Sequence, residues 1–119
     1  MTKSGMNIEQ RDIILIPFPY TDLLTIKKRP VLVLSNFYYH KNNNDMICCA
    51  ITSSKKQIHN GIKIENKDLE KGQLKTHSTI KPSKIFTILR SITIKKIGKL
   101  NLEKTKEVIK SLNLEINLY

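Results

Sequence analysis

Acidic residues, cysteine, glycine and tryptophan are scarce in this chain, and the shortages narrow what it can do. Ten Asp and Glu stand against 21 Lys and Arg in 119 residues, and the few acids form no cluster suited to Mg²⁺. The two cysteines, Cys48 and Cys49, are adjacent in an apolar run. Neighbours on a strand point to opposite faces, so this pair neither bridges itself comfortably nor chelates, and it reads as core filler. His40, His59 and His77 are scattered, leaving no Cys or His pair at metal-ligand spacing. No metal or other cofactor is expected. The longest apolar runs, residues 13–18 and 31–34, fall far short of the roughly 18 residues that cross a bilayer. The N-terminal residues reach Glu9, Gln10 and Arg11 without an apolar signal segment, so no membrane partner and a cytoplasmic location are expected. Four Gly and four Pro are too few for a disordered or collagen-like chain, and with 39% hydrophobic residues a packed core is expected. The length fits one domain over 1–119.

What is abundant is positive charge, and it is unevenly placed. Residues 1–50 hold 6 basic and 4 acidic side chains, residues 51–100 hold 12 and 3, and residues 101–119 hold 3 and 3. A basic middle segment attracts polyanions by counterion release, which makes RNA, DNA, an anionic membrane surface or an acidic protein segment its candidate partners. Solubility alone also accounts for surface lysines, and charge does not choose between these readings.

The hydrophobic pattern is mostly extended. Residues 12–18 form a first strand ending at Pro17 and Pro19, and residues 29–36 a second strand buried on both faces. The ten or so residues between them are long for a hairpin and suited to function. Residues 37–45 read as a polar connection and 46–53 as a third strand, with Ile47, Cys49 and Ile51 facing one way and Cys48, Ala50 and Thr52 the other. Residues 58–64 are a weak edge strand, 65–76 a charged loop with a turn at Gly72, 78–88 an extended segment in which Pro82 marks an edge or bulge, and 95–100 a short strand. One helix follows, capped by Asn101, with Thr105, Val108, Ile109 and Leu112 at helical spacing. Many short strands and a single closing helix predict a mainly β fold: a small, strongly curved antiparallel sheet or partly open barrel.

Three pieces in order carry more information. They are Asp12-Ile-Ile-Leu-Ile-Pro-Phe-Pro-Tyr-Thr-Asp22, Lys27-Lys-Arg-Pro-Val-Leu-Val-Leu-Ser35 and Ala50-Ile-Thr-Ser53, followed by Leu74-Lys75, Ser78, Lys84-Ile-Phe-Thr-Ile88 and Ile97-Gly-Lys-Leu100. Over about residues 10–113 the chain resembles the MazF/PemK family of toxin endoribonucleases. The resemblance implies an SH3-like barrel, a two-fold homodimer, metal-free cleavage of single-stranded RNA, and restraint by a mostly acidic antitoxin protein. The family's Arg-Pro pair opening the second strand falls on Arg29, and the Thr ending its third strand on Thr52.

Those residue types suit the chemistry. Metal-free cleavage uses the 2′-hydroxyl as internal nucleophile and leaves a 2′,3′-cyclic phosphate and a 5′-hydroxyl. A guanidinium donates two parallel hydrogen bonds to phosphorane oxygens, the role expected of Arg29, while the Thr52 hydroxyl holds the phosphate in line. Arginine is a poor proton acceptor, and His77 is the candidate base, since an imidazole titrates near neutrality. Further RNA contacts are expected from Lys28, Ser53, Ser78, Lys84 and Tyr20. Phe86 occupies a position where many family members carry an Arg, and it either stacks on a base or fills the core. Arg11 stands where members commonly have Gly. A non-catalytic barrel that binds RNA or protein is the alternative reading, and gyrase inhibition by protein contact is a third.

Overall fold

The computed structural model describes residues 6–19 and 26–118. Its strands are β1 (Asp12–Pro19), β2 (Ile26–Val33), β3 (Asp45–Thr52), β4 (Ile62–Ile64), β5 (Leu69–Gly72), β6 (Ser78–Leu89) and β7 (Lys95–Leu100), with helices α1 (Phe37–Asn42) and α2 (Leu102–Ile116). The strands form one sheet in the order β4-β6-β3-β2-β1-β7-β5, and every pairing is antiparallel. The expected mainly β, partly open barrel with a C-terminal helix is the observed architecture.

Alternation along the central strands fills both faces of the sheet. Ile13, Leu32, Cys49, Ile51, Ile64, Ile80 and Leu100 pack on one face with Val108 of α2. Ile14, Ile16, Val31, Val33, Met46 and Cys48 pack on the other, with Phe18 and Phe86 at their margin. Burial of the first set drives α2 onto the sheet, because an amphipathic helix gains most of its stability from such packing. Asn101 caps that helix as expected, its Oδ1 accepting from the Lys104 N–H at 2.8 Å.

Several boundaries differ from expectation. The second strand starts at Ile26, since β1 and β2 pair as a hairpin down to Pro19 and Ile26; the exposed Lys27 and Lys28 concealed its beginning. The polar connection holds α1, capped by Asn36, whose Oδ1 accepts from the Tyr39 N–H at 3.0 Å. The charged loop holds β5, paired to β7 at the sheet edge. Its last residue, Gly72, has φ +80°, and a Cβ there would lie 2.1 Å from the Ile97 carbonyl oxygen, so only glycine fits. The expected irregularity at Pro82 is a bulge: Cys49 pairs with Ile85 and Ala50 with Lys81, so residues 82–84 stand outside the ladder.

Arg11 takes a positive φ of 80°, the conformation that explains why glycine is the commoner choice there. The strain is offset locally. Its Nη1 donates to Glu70 Oε2 at 2.7 Å and to the Leu100 carbonyl at 3.0 Å, and its backbone N–H donates to the Val33 carbonyl at 2.9 Å.

Candidate active site

Strand register decides which side chains meet. The last pairs of β2 and β3 are Val31 with Ala50, Leu32 with Cys49 and Val33 with Cys48. The ladder stops there, and beyond it alternation puts Arg29 of β2 and Thr52 of β3 on the face that carries Val31, Val33 and Cys48. On the outer side of β2, Arg29 pairs with Ile16. On the outer side of β3, Thr52 pairs with Thr79, and Thr79 in turn pairs with Lys63. A polar row, Lys63, Thr79 and Thr52, thus crosses three strands at the rim of an apolar bed, with Arg29 on the same face of β2. Lys81, opposite Ala50, stands one row further in.

The row borders a cleft of about 860 Å³, lined by residues 53–58 of the β3–β4 loop, by Gly61 and residues 63–65, and by residues 75–79. Lys55, Lys56, Lys63 and Lys75 face Glu65 as the only carboxylate among these lining residues. The net charge of the cleft is strongly positive, which suits an anionic chain. The loop wall is held by side-chain turns: Thr52 Oγ1 accepts from the Ser54 N–H at 3.1 Å, and Ser54 Oγ from the Lys56 N–H at 3.2 Å. Accepting that bond leaves the Thr52 hydroxyl its own proton to donate.

The expected contact residues divide. Arg29 and Thr52 share a face of the sheet by strand alternation. Ser53 and His77 both line the cleft, with His77 Nε2 3.9 Å from Glu65 Oε1 and its ring open to solvent. Lys84 is exposed in the bulge. Lys28 is directed by alternation to the face opposite Arg29, whereas Lys27, paired with Phe18, shares the face of Arg29. Ser78 is buried and its Oγ donates to the Thr76 carbonyl at 3.2 Å; its neighbour Thr79 occupies the row instead. Phe86 sits edge-on against Phe18, ring centroids 5.8 Å apart, so it fills the margin of the apolar bed. Tyr20 lies outside the described residues. Sequence reasoning did not single out Lys63, Thr79 and Lys81, because their places in and beside the row depend on pairings between strands distant in sequence.

Other reactive groups are set aside by their surroundings. Burial pushes the Cys48 and Cys49 thiols up to about 12, so neither is a nucleophile. His40 Nε2 is hydrogen-bonded to Ser35 Oγ at 2.7 Å, and His59 Nε2 lies 3.1 Å from Glu115 Oε1. Among the described residues no group of three or more His, Cys, Asp or Glu is placed to hold a metal. No helix among them is long and apolar enough to cross a membrane.

Solved structures share this curled sheet and closing helix. An endoribonuclease from a mycobacterial species, solved with its cognate antitoxin, matches 95% of this chain and 98% of its own at 12% identity with a TM-score of 0.76. A chain of the MazE–MazF structure from Deinococcus radiodurans matches 94% and 98% at 17% identity and 0.75, and the Mycobacterium tuberculosis toxin MazF-mt6 matches 92% and 99% at 18% and 0.70. At these identities the likeness establishes the fold, that of the small curled-sheet toxins. Among curated proteins, none matches by sequence. The family follows from the sequence model: residues 9–116 match the PemK-like, MazF-like toxins of type II toxin–antitoxin systems, and the chain belongs to that family.

Proposed function

We propose that the chain is a metal-independent, sequence-selective endoribonuclease, the toxin of a type II toxin–antitoxin pair, acting on single-stranded RNA in the cytoplasm. What supports this reading is the match of residues 9–116 to the PemK-like, MazF-like toxins, together with the placing of Arg29 and Thr52 on one sheet face by alternation near a lysine-lined cleft. In the reaction the ribose 2′-oxygen attacks phosphorus while the base takes its proton. The bond from phosphorus to the 5′-oxygen then breaks, and that oxygen takes a proton from solvent water, while the base later releases to solvent the proton it took from the 2′-hydroxyl. The products are a 2′,3′-cyclic phosphate and a 5′-hydroxyl. Arg29 stabilises the charge that accumulates on the phosphorane oxygens, and Thr52 donates its proton to a non-bridging oxygen and fixes the phosphate for in-line attack. His77, the histidine that lines the cleft, is the base. Ser53 on the loop wall and Lys84 on the bulge add contacts to the backbone.

The acidic antitoxin is the partner that the cationic cleft favours, since it competes for the surface RNA uses. The chain acts as one domain over 1–119 and as a homodimer. Incubation with single-stranded RNA in EDTA tests the enzyme reading. Cleavage with cyclic phosphate ends, abolished by a 2′-deoxy substitution at the cut nucleotide, supports it. RNA that is retarded but intact supports a binding module instead. His77→Gln removes the acidic limb of the pH–rate profile if His77 is the base.

A further inference from the structure

We infer that Lys63 and Thr79 form a second phosphate site, which holds the phosphodiester neighbouring the scissile one; the inference rests on the ribonuclease reading above. Lys63 is two strands from Thr52 in the same register row. At about 4.8 Å per strand that is roughly 9.5 Å, beyond the oxygens of one phosphodiester, so the ammonium serves a different phosphate from the one that Arg29 and Thr52 hold. Its side chain is exposed on an edge strand, and Glu65, the cleft's acid, is directed to His77. Thr79 stands between the two sites. A Cβ on Gly61 would lie 2.8 Å from Thr79 Cγ2, so the methyl is the group turned to Gly61 and the hydroxyl is directed elsewhere. The row therefore presents cation, hydroxyl, hydroxyl in sequence across the sheet, with the Arg29 cation on the same face of β2. That spacing matches a backbone running across the strands, with Lys81 of the next row under it.

Losing a contact made equally in ground and transition state raises KM and leaves the chemical step alone. Each phosphate contact on a single strand also contributes about 0.7 to the slope of log affinity against log salt. The test uses the full chain and a short labelled RNA spanning one mapped cut site, with a 2′-deoxy version of it for binding alone. Lys63→Ala is expected to raise KM and Kd about five- to tenfold and to lower the salt slope by about 0.7. Lys63→Arg is expected to restore both. A methylphosphonate at the neighbouring linkage weakens wild-type binding and leaves Lys63→Ala binding unchanged, whereas Thr79→Val gives a smaller rise in KM. Unchanged KM and salt slope in Lys63→Ala, or a loss confined to kcat, overturns the second site. If wild type fails to cut any RNA, the ribonuclease reading falls instead; if Arg29→Ala cuts as fast as wild type, the Arg29 assignment falls while the ribonuclease reading stands, and these arms tell the failures apart.

Discussion

The two faces of the sheet are both apolar, yet they end differently. The face under α2 is sealed: Ile13, Leu32, Ile80 and Leu100 are completely buried there with Val108 of the helix. The opposite face holds an equally buried bed of Ile14, Ile16, Val31 and Val33, but its margin gives way to Arg29, Thr52, Thr79 and Lys63. No helix covers that margin among the described residues. The sealed face provides rigidity and the open one presents groups at fixed register. A site built on paired strands holds its side chains more tightly than one built on loops.

This contrast can be broken from the sealed side first. Leu32→Ala, with Leu32 fully buried, is expected to cost about 2–5 kcal/mol of stability in urea unfolding. The RNA cleavage that remains in the folded fraction should be close to wild type, because Leu32 is directed away from the row. At the margin of the open face, Phe86→Ala removes the edge-on contact with Phe18. A loss of about 1–2 kcal/mol is expected, smaller than a full core truncation because the ring is half-buried. Phe86→Ala that leaves stability intact while weakening RNA binding would return this ring to a base-stacking role.

Arg11 sharpens the comparison at the edge between the faces. Arg11→Ala keeps the positive φ and loses the bonds to Glu70 and Leu100, whereas Arg11→Gly loses the bonds and the strain together. Thermal unfolding should therefore show the alanine variant less stable than the glycine variant by about 1 kcal/mol. The reverse order would mean that the backbone there is not strained.

The smallest effect is expected with pH. Burial, aided by the Arg90 guanidinium, holds His40 below its ordinary value of 6.5. The unfolded chain then binds a proton on this imidazole at higher pH than the fold does, so its contribution is complete above about 6.5 and declines as pH falls below it. Urea midpoints at about pH 7.5 and about pH 5.5 measure this, and His40→Gln should flatten the difference.

Much of the fold was legible because periodicity marks strands with one buried face and a helix with an apolar stripe. The hidden parts share a physical cause. Residues 69–72, Leu-Glu-Lys-Gly, form β5 only because β7 lies beside them, and the start of β2 is exposed and charged, so neither carries a burial signal. Helix α1 has no buried residue, so it carries no burial signal either. The site shows the same division. Arg29 and Thr52, the pair proposed for the site, were picked out by the ordered motifs of the family, and the cationic middle segment by charge. Thr79 and Lys63 were not, since their place beside Thr52 follows from the β3–β6 and β6–β4 registers. Ser78 and Thr79 both line the cleft, yet alternation sends them to opposite faces of β6, so one position exchanges a buried face for a more open one.

Single-turnover cleavage of single-stranded RNA in EDTA by wild type, Arg29→Ala, Thr52→Ala and the double variant tests the central claim most directly, with folding checked by thermal unfolding. If both side chains act on one scissile phosphate, each single variant loses about 10²–10³ in rate, and the double variant loses far less than the product of the two. Single variants as fast as wild type, or losses that multiply, would contradict a shared phosphate at this row of the sheet.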